Sequence, residues 1–344
     1  MEGSNNPLSR NDMTRRYRHA GDLTGEPPTR EFAEVTIAMP WGHLAAKWYG
    51  PQNVQPIVGL HGWQDNAGTY DLLAPLLPPD VAFLSVDLPG HGLSSRLPDG
   101  CYYNMIDNLY VIRVIMKQYK WEKISLIGHS MSSIIGFVFA AVYPEKVDMF
   151  IGIDALKPHQ RPLSRVIRTM ESRMNDFLIE DERNRSNIEP PSYTYDELIE
   201  RIYLGTFYSI NKDVCKHMLA RNIQKSEKYP NKYFFSRDRR LKFYNYTVGS
   251  QELCIELAKL ITCPYLFIKA RHSSYFEDKK NFDEVLEVLL QRQNFQYFEV
   301  DGTHHLHMNN PESVIGPIND FIKRYGPIAD KQQVSTETYE DSKL

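Results

Sequence analysis

Residues 126–135 read LIGHSMSSII, and the fold turns on how that stretch is read. The apolar run Ile124 to Ile127 leads into Gly128-His129-Ser130-Met131-Ser132, and Ile134 to Val142 follow as a helix apolar on all sides. Strand, sharp turn and helix form the setting that lifts a serine above the carboxyl edge of a sheet, usually within G-x-S-x-G. Here Ser132 stands at the second glycine position. The positions two before and two after the serine lie where strand and helix nearly touch, so the requirement is for small residues. Gly128 meets it, and Ser132 weakens the pattern without breaking it. Taken alone, the stretch also suits a serine that merely caps a helix.

Working outward, Ile57 to Leu60, Val81 to Val86, Met149 to Ile153 and Tyr265 to Ile268 are almost continuously apolar. Strands buried on both faces of a parallel sheet read this way. Phe298-Glu299-Val300 predicts a further strand, and residues 31–50 an opening pair that need not be parallel. Leu109, Ile112, Ile115, Met116 and Tyr119 recur at helical spacing, as do Val314, Ile315, Ile318, Phe321 and Ile322. The alternation predicts a mostly parallel, doubly wound α/β sheet. It stops at Ala155 and resumes near Thr262. Between them, Ser164 to Ile179, Tyr195 to Tyr203 and Asp213 to Arg221 are helical in pattern. The predicted organisation is a flexible segment over 1–30, a core over 31–154 and 247–326, a helical cap over 155–246 and a flexible tail over 327–344.

Three loops bear on Ser130. Leu60-His61-Gly62-Trp63 follows a strand, and a backbone N–H there, that of Trp63, would pair with that of Met131 as an oxyanion hole. The alternative is a glycine turn with a packed His and Trp, and His61 is read as structural. Asp87-Leu88-Pro89-Gly90-His91-Gly92 shapes a turn, with no chemistry assigned to Asp87 or His91. Gly302-Thr303-His304-His305-Leu306-His307 offers a general base, which must come within hydrogen-bond reach of the serine. His304, two after Gly302 and seven before Pro311, is the candidate; His305 and His307 read as packing or loop residues. No H-E-x-x-H or carboxylate partner accompanies the three histidines, so no metal is expected.

With HGWQDNAGTYDLLAPLLP, DLPGHGLSS, LIGHSMSS, YFFSRDRRLKF and GTHHLHMNNPE in this order, the sequence resembles the serine hydrolase-like protein family of the α/β-hydrolase superfamily over about 31–326. The resemblance implies an α/β-hydrolase fold with Ser130 as nucleophile and His304 as base. It leaves the substrate open. In most of the superfamily the acid follows the strand that is here Pro264 to Ile268, yet Ala270-Arg271-His272-Ser273-Ser274 holds no carboxylate. Glu277 and Asp278 come several residues late. Asp154, ending the preceding strand in FIGIDALKP, is the preferred acid, with Asp278 and Glu277 as alternatives and a helix N-cap as its structural reading.

The rest of the 344-residue chain bounds the function. A net charge of −3 gives no reason to expect nucleic acid as partner. No 18-residue apolar run predicts a membrane span, and no N-terminal apolar run suits a signal peptide. Four scattered cysteines, none in C-x-x-C, suggest reduced thiols. No G-x-G-x-x-G follows the first strand, so dinucleotide binding is set aside and no cofactor is expected. Serine at 130 sets aside the dehalogenases and epoxide hydrolases of this fold, which use aspartate. The cap carries 18 Lys/Arg against 12 Asp/Glu. That balance suits a solvated surface, or a lid drawing anionic acyl substrates such as acyl-coenzyme A, with Arg237-Asp238-Arg239-Arg240 the first place to look. The terminal Ser342-Lys343-Leu344 reads as a signal for the peroxisomal import receptor, with the cytoplasm as the alternative location. The expectation is a serine hydrolase acting on esters or thioesters of small apolar acyl groups through Ser130, His304 and Asp154. The alternative is a ligand-binding protein of this fold without turnover.

Overall fold

The computed structural model describes residues 30–186, 188–243 and 249–327. The N-terminal segment to residue 29 and the tail from 328, with its Ser-Lys-Leu end, lie outside the described residues.

Eight strands form one sheet: β1 (Phe32–Met39), β2 (Gly42–Tyr49), β3 (Ile57–Leu60), β4 (Phe83–Val86), β5 (Ile124–His129), β6 (Val147–Ile153), β9 (Tyr265–Ala270) and β10 (Phe295–Val300). Their order across the sheet is β1-β2-β4-β3-β5-β6-β9-β10. β1 and β2 are antiparallel to each other, and β2 to β4; the remaining pairs are parallel. β3, β4, β5 and β9 are buried at every residue, the pattern that made them legible as apolar runs. β10 is an edge strand and buries only Phe295 fully, so its sequence is more polar and its true start lies three residues before the apolar pattern suggests. β4 starts at Phe83 because the Val81 N–H closes a turn onto Pro78.

Helices cover both faces. On one, Ile112, Ile115 and Met116 of α1 (Asp107–Tyr119), Ile135 and Phe139 of α2 (Met131–Val142), Leu257 of α6 (Gln251–Leu260) and Val285 and Leu289 of α7 (Lys279–Leu290) share a single apolar core. On the other, Val314, Ile318, Phe321 and Ile322 of α9 (Glu312–Tyr325) pack with Tyr70, Leu73 and Leu77 against Ile127 and Ile151. The layering puts the carboxyl ends of β3, β5, β6 and β9 side by side, where loops can converge.

Between β6 and α6 the chain leaves the sheet and forms α3 (Leu163–Arg185), α4 (Tyr195–Gly205) and α5 (Cys215–Leu219). A small antiparallel hairpin, β7 (Ile223–Lys225) with β8 (Tyr233–Phe235), was not apparent in a segment read as helical. Three-residue strands are too short to carry a period-2 signal. The helical pattern over 213–221 contracts to a 3₁₀ turn and α5, while α3 runs six residues past Ile179. A separate apolar cluster of Ile210, Val214, Cys215 and Met218 closes on Met308 from the four-residue helix α8 (Leu306–Asn309). The insertion is thus seated on the loop that carries the histidines. Among the described residues, no helix is long and apolar enough to cross a membrane.

Candidate active site

Ser130 sits between β5 and α2 at φ 53° and ψ −116°, a conformation sparsely populated outside glycine. Its N–H is tied to the Ile153 carbonyl at 2.8 Å, locking the turn against β6. A Cβ on Gly128 would stand 2.3 Å from the Ser132 backbone oxygen and 2.7 Å from the Ser133 nitrogen, so only glycine fits there. Ser132 does fit. It is buried, and its hydroxyl donates to the His61 carbonyl at 2.5 Å, joining the serine turn to the loop after β3. A glycine would lack that tie.

The Ser130 hydroxyl lies 2.7 Å from His304 Nε2, and His304 Nδ1 lies 2.5 Å from Asp154 Oδ2. A carboxylate only accepts, so His304 carries its proton on Nδ1 and presents a bare Nε2 to the serine. Asp154 ends β6 in a left-handed conformation, φ 59°, with its N–H on the Ile268 carbonyl. Its other oxygen, Oδ1, accepts from the Ala270 N–H and from Lys269 Nζ, both at 2.8 Å. Burial alone would push the Asp154 carboxyl up. The hydrogen bond and charge of His304, with those of Lys269, outweigh it and hold the carboxyl below its ordinary value. Lys269 was not singled out in the sequence. A lysine inside an otherwise apolar strand end, in FIKA, is the signal that could have found it.

Of the other two carboxylates weighed as the acid, neither meets His304. Glu277 is buried against Lys157 at 2.6 Å and accepts the Gln160 N–H. Asp278 caps α7, its side chain accepting from Lys280 N–H. Asp154 is no helix cap, since α3 begins only after Pro162.

The remaining histidines are braces. His61 Nε2 accepts the Leu88 N–H at 2.9 Å and His91 Nε2 the Gln64 N–H at 3.2 Å, fixing the loop after β3 on the turn after β4. Burial lowers both imidazoles below their ordinary range, which keeps those nitrogens available as acceptors. Asp87 accepts the Ala67 and Leu93 N–H groups and pairs with Arg221 from the insertion. His307 Nε2 meets Thr69 at 2.8 Å. His129, beside the serine, donates Nε2–H to the His304 carbonyl at 2.9 Å. Asp65 Oδ2 stands 3.4 Å from both His129 Nδ1 and His305 Nε2. Burial opposes the Asp65 charge, but His305 and His129 hold its carboxyl well below the usual range.

Asp65, His129 and His305 are also the described residues whose donor atoms come close enough, within 4.8 Å of one another, to suit a cation. The Arg237 guanidinium acts on the same carboxylate. The sequence reading gave the three histidines of the last loop no carboxylate partner; the fold brings Asp65 to His305, and both Asp65 Oδ2 and His129 Nδ1 are buried without a hydrogen-bond partner among the described residues.

Two positions remain from the sequence reading. Met131 is the first residue of α2, so its N–H has no intrahelical acceptor. Trp63 lies on the loop tied down by Ser132 and His91; its ring is 40% exposed and donates Nε1–H to the Leu241 carbonyl at 2.6 Å, stapling the loop to the insertion.

The family model described as the α/β hydrolase fold matches residues 55–311. The chain is 36% identical over 303 residues to a Drosophila melanogaster protein described as "Probable serine hydrolase", covering 88% of this chain and 90% of that one. It belongs to the serine hydrolase-like branch of the α/β-hydrolase fold. "Serine hydrolase-like protein 2" of Homo sapiens is 30% identical over 304 residues, covering 85% of this chain and 94% of its own. Among solved structures, a hypothetical protein of Pseudomonas aeruginosa PAO1 superposes with a TM-score of 0.72 at 24% identity, covering 85% of this hydrolase-like chain and 98% of that chain. A thioesterase domain from the curacin biosynthetic pathway superposes at 0.68 and 18% identity, covering 83% and 98%. At these identities the superpositions speak to the fold alone.

Proposed function

We propose that this protein is a serine hydrolase that cleaves carboxylic esters or thioesters by way of an acyl-enzyme. The observation that carries the reading is the unbroken series Asp154, His304, Ser130, at 2.5 and 2.7 Å, on a strained strand-to-helix turn. Ser130 Oγ attacks the acyl carbonyl and its proton passes to His304 Nε2. The N–H groups of Trp63 and Met131 receive the oxyanion. Collapse expels the alcohol or thiol, which takes the proton from His304. Water, deprotonated by the same nitrogen, then releases the acid and restores the serine. Asp154, anchored by Lys269 and Ala270 N–H, holds the imidazole in the required tautomer and stabilises its charged form.

A fluorophosphonate probe tests the proposal, together with hydrolysis of short p-nitrophenyl esters. Wild type should label, Ser130→Ala should not, and His304→Ala should label slowly. If the folded wild type neither labels nor turns over any ester, the ligand-binding alternative replaces the hydrolase reading. Peroxisomal import through Ser342-Lys343-Leu344 is the part of the proposal carried by sequence alone. Removing those residues should move an N-terminally tagged protein to the cytosol, and an unchanged distribution would end that part.

A further inference from the structure

Between the insertion and the core lies a cavity of about 860 Å³ whose floor is the Trp63-Gln64-Asp65 turn. Its walls are rich in charge, and part of that charge is matched. Glu180 is shared among Arg183, Arg239 and Lys242 at 3.1–3.7 Å. Asp238 belongs to Arg240, which does not line the cavity but sits in a cage of Asp181 and the carbonyls of Leu97, Pro98 and Cys101.

Arg237 differs. Its guanidinium lines the cavity and lies over the Phe235 ring at 4.4 Å, yet no described carboxylate comes within 4 Å of it. Burial drives its pKa down to about 10, with Asp65 pulling only partly the other way. Arg201 also lines the cavity, over Tyr193 at 3.7 Å and with no described carboxylate in salt-bridge range, but it is exposed. A half-buried cation with no described carboxylate in direct contact, and only Asp65 acting on it from further off, is poorly compensated for the water it has lost. An arginine set over an aromatic ring can still turn N–H groups outward, and a guanidinium edge matches a carboxylate or phosphate in bidentate fashion.

We propose that Arg237 binds an anionic group at the end of the substrate remote from the scissile bond, so that the enzyme selects acyl substrates carrying a carboxylate or phosphate. The inference rests on the hydrolase reading for its kinetic form and on the cavity for its binding form. The floor turn is what the two share. Trp63, which supplies the oxyanion N–H in that reading, and Asp65, which stands 3.4 Å from His129 Nδ1, both line the cavity. Ser130, Met131 and His304 do not themselves line the cavity, so a substrate would have to pass Trp63 for its far end to meet Arg237.

The test compares kcat/KM for p-nitrophenyl butyrate with that for mono-p-nitrophenyl glutarate, the same chemistry with a terminal carboxylate. An acetyl-phosphopantetheine thioester set against acetyl-cysteamine supplies the phosphate arm. At least one anionic substrate should be preferred by roughly 10–100-fold, the range of a charge-assisted hydrogen-bond pair. Arg237→Met should bring that ratio close to one, and Arg237→Lys should keep part of it. Because the readout is a ratio, a variant that merely folds poorly lowers both substrates and leaves it intact. No preference in wild type, or one that survives Arg237→Met, overturns the proposal. If the protein proves inert towards every ester and the fluorophosphonate, the hydrolase reading has failed separately. Glutarate and inorganic phosphate titrations then decide the anion site: saturable binding lost in Arg237→Met sustains it, and no binding overturns it.

Discussion

Lys269 Nζ donates to Asp154 Oδ1 at 2.8 Å, on the one carboxylate oxygen that His304 leaves free. The ammonium is itself buried and spends its other protons on the Ala270 and Ser273 carbonyls. Asp154 is therefore held from both sides, and Lys269 reaches the proposed triad through that carboxylate. Lys269→Met should lower kcat by roughly 10–100-fold, the worth of one buried charge-assisted bond, with KM little affected. Lys269→Arg should recover part of the rate. Equal loss in both variants, or a change confined to KM, would show that the lysine does not position the acid.

The three carboxylates considered for the acid separate cleanly by substitution. Asp154→Asn should cost about 10⁴ in kcat, since an amide cannot hold the same tautomer or stabilise an imidazolium. Asp278→Asn exchanges one good helix cap for another and should leave both rate and melting temperature near wild type. Glu277→Gln strands the buried Lys157 ammonium and should lower stability by roughly 3–5 kcal/mol. Steady-state kinetics beside thermal melts would read all three. Activity in Asp154→Asn close to wild type would remove it from the triad.

Ser132 stands where glycine is usual, and its 2.5 Å bond to the His61 carbonyl suggests why. Ser132→Gly should restore the commoner motif yet lower stability by about 1 kcal/mol, the net worth of one hydrogen bond. Turnover should change only a few-fold. Gly128→Ala is the contrasting case. Its Cβ would meet backbone atoms of Ser132 and Ser133, which cannot swing aside, so the turn must open and labelling of Ser130 should be lost. If Gly128→Ala labels as fast as wild type, the turn is not under the constraint described here.

The sheet was legible because its inner strands are buried on both faces; Ile57 to Leu60 and Ile124 to Ile127 admit few other readings. Ser130, His304 and Asp154 could be named as candidates because each follows directly on the carboxyl end of a strand or a short loop from it. What the sequence hid was anything set by contact across the chain. Lys269 looks like the exposed end of a strand until Asp154 is found opposite it. The two-residue difference between Asp65 and Trp63 gives no hint that one is buried beside His129 and His305 while the other staples the loop to Leu241. Within YFFSRDRRLKF, charge alone cannot tell Arg240, locked in a cage, from Arg237, which has no carboxylate beside it.

Acid should loosen the fold well before the carboxylates titrate. Burial lowers His61, His91, His129, His305 and His307 in the folded protein below the ordinary 6.5. As pH falls through 6.5, the unfolded chain therefore takes up protons that the folded one refuses, and stability declines. Asp65 and Asp154, held below 3.8, add a second loss as pH falls under that value. Urea unfolding between pH 5 and 8 should show stability rising towards neutral pH. His307→Gln keeps a partner for Thr69 and removes one titrating group, so its slope below pH 6.5 should be shallower. A flat profile from pH 5 to 7 in wild type would contradict the buried, neutral state of these rings.

Arg240 is the structural counterpart of Arg237. It is 1% exposed, pairs with Asp238 at 2.8 Å and Asp181 at 3.2 Å, and donates to the carbonyls of Leu97, Pro98 and Cys101. Those partners lie on α3, on the segment before α6 and on the loop before α1, so one side chain ties the insertion to the core. Arg240→Met leaves two buried carboxylates and three carbonyls without their donor and should cost roughly 3–5 kcal/mol. Arg237→Met, by contrast, removes a half-buried charge that has no ion pair among the described residues and should leave the melting temperature near wild type or higher, the signature of a residue kept for binding at the expense of stability. Differential scanning calorimetry of the two variants compares them directly. A larger loss in Arg237→Met than in Arg240→Met would reverse the roles assigned to the two arginines.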